Sequence, residues 1–197
     1  VTIVVPQTTA AAVRDAIAAR GATVVVHGRV WDEAHGHALA LADEQGAVYV
    51  HPFDDPLLWD GHATQIDEVV RAGVAFDAVV ASVGGGGLLA GIVLGLRRNG
   101  LHEVPVIAVE TEGAASFAAA LAAGKPVTLP AITSIATSLG ARQAMPRLLD
   151  LAREHPIVSL TVSDAQAVRA CTRFADAMRV LVEPACGAAI AAVDVHA

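Results

Sequence analysis

The chain has 197 residues, 54% hydrophobic, 17% charged and 4% aromatic, with a formal net charge of −7. That length holds one large domain, or one domain plus part of another, and that composition buries a core and excludes wholesale disorder. No Lys/Arg cluster exceeds the pair Arg97-Arg98, which with the net charge argues against nucleic acid or an acidic membrane surface as a partner.

The elements alternate short β-branched runs with longer Ala/Leu-rich stretches. Thr2 to Val5 reads as a strand. Thr8 or Thr9 can cap a helix running to about Arg20, and Gly21 closes it. Thr23 to Val26 is the next strand, Asp32 to Gln45 the next helix and Ala47 to Val50 a third strand. This βαβαβ order predicts a parallel sheet with right-handed crossovers. His51 to Leu58, with two prolines and two aspartates, is a loop and a domain boundary. A helix follows from about Trp59 to Ala72, then a strand Asp77 to Ala81, a glycine loop Ser82 to Gly87 and a helix Leu88 to Arg98. Val104 to Val109 is a strand, Ala114 to Ala123 a helix, and Lys125 to Gly140 an irregular Thr/Ser-rich segment long enough to suspect function. Pro146 to Glu154 is helical, Ile157 to Val162 a strand, and Ser163 caps a helix to about Met178. Glu183-Pro184 shapes a turn before a final helix. The chain opens directly on a strand at Val1 and stops in mid-helix through Val193-Asp194-Val195-His196-Ala197, so both ends read as cut.

No apolar run reaches the roughly 18 residues a membrane span needs, and no signal-peptide pattern occurs. Cys171 and Cys186 have no metal or redox spacing and read as free thiols in a reducing compartment, with the cytoplasm the expected setting. The eight histidines are scattered, with no metal spacing beyond a weak His35-Gly36-His37.

The strongest local signal is Ser82-Val83-Gly84-Gly85-Gly86-Gly87-Leu88-Leu89, between an apolar strand and a helix. Glycines there expose backbone N–H groups, and the helix N-terminus adds the positive end of its dipole, so a phosphate is expected. The spacing fits neither G-x-G-x-x-G nor the P-loop, which ends in Gly-Lys-Ser/Thr, so the phosphate is not expected to be a nucleotide's.

This loop resembles the phosphate cup of the fold-type II pyridoxal-phosphate enzymes. Further segments resemble the serine/threonine dehydratases: Phe53-Asp54-Asp55-Pro56-Leu57 with Trp59-Asp60-Gly61-His62-Ala63, Val104 to Thr111, Ile132-Thr133-Ser134-Ile135-Ala136, and Leu181-Val182-Glu183-Pro184-Ala185-Cys186-Gly187-Ala188-Ala189. The motifs stand in family order along essentially the whole chain, and they are most similar to the mammalian-type L-serine dehydratase branch. The resemblance implies dehydration of L-serine to pyruvate and ammonia, or of L-threonine to 2-oxobutanoate, with pyridoxal phosphate as electron sink. It implies that Gly84, Gly85, Gly86 and Gly87 hold the cofactor phosphate and that Ser138 lies against the pyridine ring, where the family usually has alanine. It implies a monovalent cation, expected to be potassium, held by Gly84, Glu110, Ala114, Ser116, Leu139 and Ala141. For Glu110 the alternative is a solvated carboxylate.

The family's Schiff-base lysine, in a Ser-x-Ser-Phe-Lys segment, and its Ser-Ala-Gly-Asn substrate loop do not occur here. The one lysine is Lys125, in the loop context Ala-Gly-Lys-Pro-Val. The chain alone is therefore expected to give no turnover. The architecture expected is α/β, a three-layer parallel sheet of the fold-type II (tryptophan synthase β-like) kind truncated at both ends. Residues 1–52 are the remaining part of a small domain and 53–197 most of the large cofactor domain, with the cofactor in the cleft between. A homodimer acting on a small amino acid is implied. Alternatives are another fold-type II enzyme, such as threonine synthase or a β-replacing synthase, and a non-catalytic phosphate- or pyridoxal-phosphate-binding module.

Overall fold

A computed structural model describes residues 1–195; His196 and Ala197, to which the last helix was expected to run, lie outside the described residues. The chain divides into two compact units, Val1–His51 and Pro52 onward.

In the first unit, β1 (Thr2–Val5) and β2 (Thr23–Val26) pair in parallel, with Thr2 opposite Thr23 and Val5 opposite Val26. They are linked by α1 (Ala11–Ala18), and α2 (Trp31–Gln45) follows β2. No threonine caps α1. Its N-cap is Ala10, which makes no side-chain cap bond, and Thr8 Oγ1 instead donates to Arg29 O at 3.4 Å. Gly21 takes φ +83°, as its place after the helix requires. The third strand expected at Ala47 to Val50 is not formed. Val48 and Val50 are 91% and 59% exposed, and the alternation there has no neighbouring strand with which to build a ladder. Ala34 is the one buried hydrophobic side chain of this unit among the described residues, as two strands and two helices have little to enclose.

The second unit is a three-stranded parallel sheet in the order β3 (Val79–Ser82), β4 (Val106–Thr111), β5 (Ile157–Val162). Side chains alternate across it. Ala81, Val83, Val106 and Ala108 face a core shared with α3 (Pro56–Arg71), α4 (Gly87–Arg98), α5 (Ser116–Ala123) and α6 (Arg147–Glu154). Val80, Ile107, Val109, Leu160 and Val162 face a second core filled by α7 (Asp164–Met178) and α8 (Pro184–Val195). Helices thus cover both faces, as a parallel sheet requires. α3 starts earlier than the periodicity implied because Asp55 Oδ1 accepts the Leu57 N–H at 2.9 Å and Pro56 occupies the first turn, where no N–H is needed. Arg98, closing α4, bonds Asp60 and Asp67 of α3, so that helix pair is tied at its rim as well as through its core. Ser163 and Gln166 form a reciprocal capping box that opens α7.

Candidate functional site

β3 leaves the sheet at Ser82, and the Val83 N–H still reaches Val109 O at 2.8 Å. The chain then turns through Gly84 and Gly85 to Gly86, which caps α4 at φ +107°, ψ 0°. Only glycine is at ease there, and a Cβ at Gly86 would lie 2.3 Å from Leu148 Cδ1. Phe53 packs on the Cα side of Gly85, its Cγ 2.3 Å from where a Cβ would be. The carbonyls are used inside the protein: Gly85 O accepts from Met145 N at 3.0 Å and Gly86 O from Ala90 N at 2.9 Å. The N–H groups from Gly84 to Leu88 donate to no acceptor among the described residues, although Gly86 and Gly87 are buried. Buried donors demand a partner, and these sit where the dipole of a 12-residue helix favours an anion.

Beside this loop, Glu110 is fully buried near the end of β4. Its Oε1 accepts the Phe117 N–H at 2.8 Å and its Oε2 the Ala118 N–H at 2.7 Å, both in the first turn of α5. Burial pushes this carboxyl up to about 7, against the N–H groups of Phe117, Ala118 and Ser116, which favour its charged form. Ser116 is likewise fully buried, and its Oγ has no partner. Opposite, the Leu139 Cα lies 3.1 Å from where a Gly84 Cβ would be, and Ser138 O 3.3 Å. Val109, Ala114, Ala136 and Leu139 form one buried cluster, and Ala141 N–H donates to Leu139 O at 2.9 Å. Gly84 thus lies against Leu139, which shares a buried cluster with Ala114 and bonds Ala141, while Glu110 and Ser116 lie together at the start of α5. A buried carboxyl group and an orphaned buried hydroxyl are both oxygen donors, a chemistry that suits a hard cation.

Ser138 is exposed and its Oγ donates to Glu183 at 2.8 Å. The Glu183 carbonyl accepts the Gly187 N–H at 3.0 Å and the Cys171 thiol at 3.3 Å, which holds it at the start of α8. In the sequence Glu183 has only a turn-forming role, because a contact across 45 residues leaves no local signal. A hydrogen-bonded chain from Thr111 through Ser134 to Asp164 likewise leaves no local signal. His62 sits in the second turn of α3, and its carbonyl accepts from Gln65 Nε2. An open pocket of about 440 Å³ lies where β4 ends and α7 begins, lined by Glu112, Gly113, Thr133, Ser163, Asp164 and Ala165. Lys125 is exposed in the loop after α5.

A parallel sheet covered by helices, with a strand-to-helix glycine turn that offers unpaired N–H groups, defines an α/β protein with an anion-accepting turn. The family model for the pyridoxal-phosphate dependent enzymes matches residues 1–197, and the chain belongs to that family. It is 51% identical over 194 residues to the mouse (Mus musculus) serine dehydratase-like protein, covering 98% of this chain and 59% of that protein. It is 51% identical to the human L-serine dehydratase/L-threonine deaminase, covering 99% of this chain and 60% of that protein. A fungal L-serine ammonia-lyase from Rhizomucor miehei superimposes with a TM-score of 0.89 at 36% identity, covering 99% of this chain and 62% of that one. The chain thus spans about three fifths of the length of these relatives.

Proposed function

We propose that these residues supply the phosphate cradle and cation site of an L-serine/L-threonine ammonia-lyase. The observation that carries the reading is the run of N–H groups from Gly84 to Leu88 without a protein acceptor, at the start of α4. Gly84, Gly85, Gly86 and Gly87 hold the cofactor phosphate through those groups. Bound there, pyridoxal phosphate supplies an electron sink that makes the Cα proton of an amino acid removable. Loss of the β-hydroxyl of L-serine leads to pyruvate and ammonia, and L-threonine gives 2-oxobutanoate.

Ser138 stands beside the ring, and its bond to Glu183 uses its single donor, so towards a bound cofactor it can only accept. Glu110, Ser116 and the carbonyls of Gly84, Ala114, Leu139 and Ala141 hold a potassium ion, which restores charge balance to the buried carboxylate and a partner to Ser116 Oγ. By resemblance the protein is a homodimer of the cytoplasm. The free state of Cys171 and Cys186 suits that compartment, and among the described residues no helix is long and apolar enough to cross a membrane.

The test is ligand binding by the chain. Pyridoxal phosphate should quench intrinsic fluorescence saturably, inorganic phosphate should compete, and pyridoxal without its phosphate should bind at least about tenfold more weakly, given the strength of charge-assisted bonds to backbone N–H groups. Equal affinity for pyridoxal and its phosphate would remove the basis of the reading. Potassium chloride should raise the melting temperature above the value in tetramethylammonium chloride at equal ionic strength.

A further inference from the structure

The irregular segment from Thr133 to Ala141 carries Ser138, Leu139 and Ala141, yet only Thr137–Leu139 within it has regular structure, a short 3₁₀ turn. Its placement comes from one hydroxyl. Ser134 Oγ accepts from Thr111 Oγ1 at 2.8 Å and from Ala136 N at 3.0 Å, and donates to Asp164 Oδ1 at 2.6 Å. A hydroxyl has one donor and two acceptor lone pairs, so Ser134 is fully used. The second Asp164 oxygen accepts the Ile135 N–H at 3.1 Å, and Thr133 N donates to Gly113 O at 2.9 Å. A Cβ at Gly113 would lie 2.5 Å from Ser134 N, so this close approach needs glycine. Three consecutive residues, Thr133 to Ile135, are thus fastened to the end of β4, the turn after it and the start of α7, and Ala136 is tied back to Ser134. The turn that follows is set from there by Thr137 N to Ile135 O and Leu139 N to Ala136 O, both at 2.9 Å.

We propose that Ser134 and Asp164 are positioning residues that hold the carbonyls of Leu139 and Ala141 where a monovalent cation can use them, and so set the affinity of the cation site. The inference rests on the cation reading above. Thr111 is the residue after Glu110, so the same hydroxyl references the segment to the strand that carries the buried carboxylate. Ser134 is 8% exposed and Thr111 fully buried, so water does not replace a lost bond at no cost. Removing a partner that orients metal ligands costs about ten- to a hundredfold in affinity where such partners have been removed.

The experiment reads the potassium midpoint of the melting-temperature rise, with tetramethylammonium chloride holding ionic strength constant. Ser134→Ala and Asp164→Asn should each raise that midpoint about tenfold or more. Thr111→Val, which keeps the shape of a buried residue and removes one bond, should move it in the same direction by less. Ser134→Thr, which keeps the hydroxyl, should restore it. Leu151→Ala, in the core between α6 and the sheet, should lower melting throughout without moving the midpoint. Unchanged midpoints in Ser134→Ala and Asp164→Asn, with melting lowered as in Leu151→Ala, would reduce the network to a structural fastening and overturn the proposal. A wild-type chain that melts identically in both salts would overturn the cation reading and this inference together.

Discussion

At Gly86 two demands fall on one residue. Its φ of +107° is a conformation L residues rarely adopt, and Leu148 occupies the space a Cβ would need. Gly86→Ala must strain the backbone by about 1–3 kcal/mol or swing the turn away from Leu148. With Gly86 N–H among the groups proposed to hold the phosphate, the substitution should weaken pyridoxal phosphate at least about tenfold by fluorescence titration, an energy within that same range. Gly100, also at positive φ but with open space around it, is the control, and alanine there should leave affinity unchanged. His155 presents a different residue-level case. It is 4% exposed, its Nε2–H donates to Val104 O at 2.8 Å, and its Nδ1 has no partner. Burial first, offset by the bond to Val104, holds its pKa below the ordinary 6.5. The unfolded chain therefore takes up this proton near 6.5 while the folded chain does not, so its contribution is whole above that pH and is lost as pH falls below it. His155→Gln keeps an N–H donor and cannot titrate. Melting temperatures of the two proteins, followed from pH 7.5 down to 5, should diverge below 6.5 with the wild type falling faster; parallel curves would show that this ring does not govern the acid limb.

Among the elements, the capping box at α7 is a discrete contribution. Ser163 Oγ accepts the Gln166 N–H and Gln166 returns a bond to Ser163 N at 2.8 Å, so Ser163→Ala should cost about 1 kcal/mol in urea unfolding, and less if water takes over the freed donor. That start signal was plain in the sequence because capping is local: Ser163 and Gln166 are three residues apart. Strands β1, β2 and β5 likewise stand where β-branched runs place them. β3 and β4 run further towards their C-terminal ends than their apolar stretches suggested, for a reason that hydrophobicity does not carry. Glu110 and Thr111 are polar, yet their backbones pair with Thr161 and Val162 of β5. Pro105, with no N–H, stands just outside the ladder and lends only its carbonyl, to Val79. Ala47 to Val50 fails in the opposite sense: it has the composition of a strand without a neighbour to pair with. The glycine loop was legible because it is one contiguous stretch whose chemistry is backbone chemistry. The Ser138–Glu183 and Thr111–Ser134–Asp164 contacts were not, since each joins residues that only the tertiary fold brings together.

Over the molecule as a whole, burial is distributed unequally, and that sets a measurable difference in local stability. Both hydrophobic cores, and every residue proposed to hold the cofactor phosphate or the cation, belong to the unit from Pro52 onward. The unit Val1–His51 contributes Ala34 alone to the buried hydrophobics among the described residues, and its Val26, Val30 and Leu39 are 41%, 39% and 44% exposed. Local opening follows the amount of apolar surface an opening exposes, so little opposes it in the first unit and much opposes it in the second. Hydrogen exchange followed by mass spectrometry should therefore show the amides of β1 and β2 exchanging well before those of β4, the central strand of its sheet. Saturating pyridoxal phosphate adds a second, local effect. A ligand that accepts from the N–H groups of the glycine turn must slow their exchange directly, and by mass action it stabilises whatever folds around them. Peptides spanning Ser82 to Leu88 should gain protection first and most, those of α4 and the Thr133 to Ala141 segment should follow, and those of β1 should not change. Protection that rose equally in both units would mean that the phosphate is not held at the turn before α4.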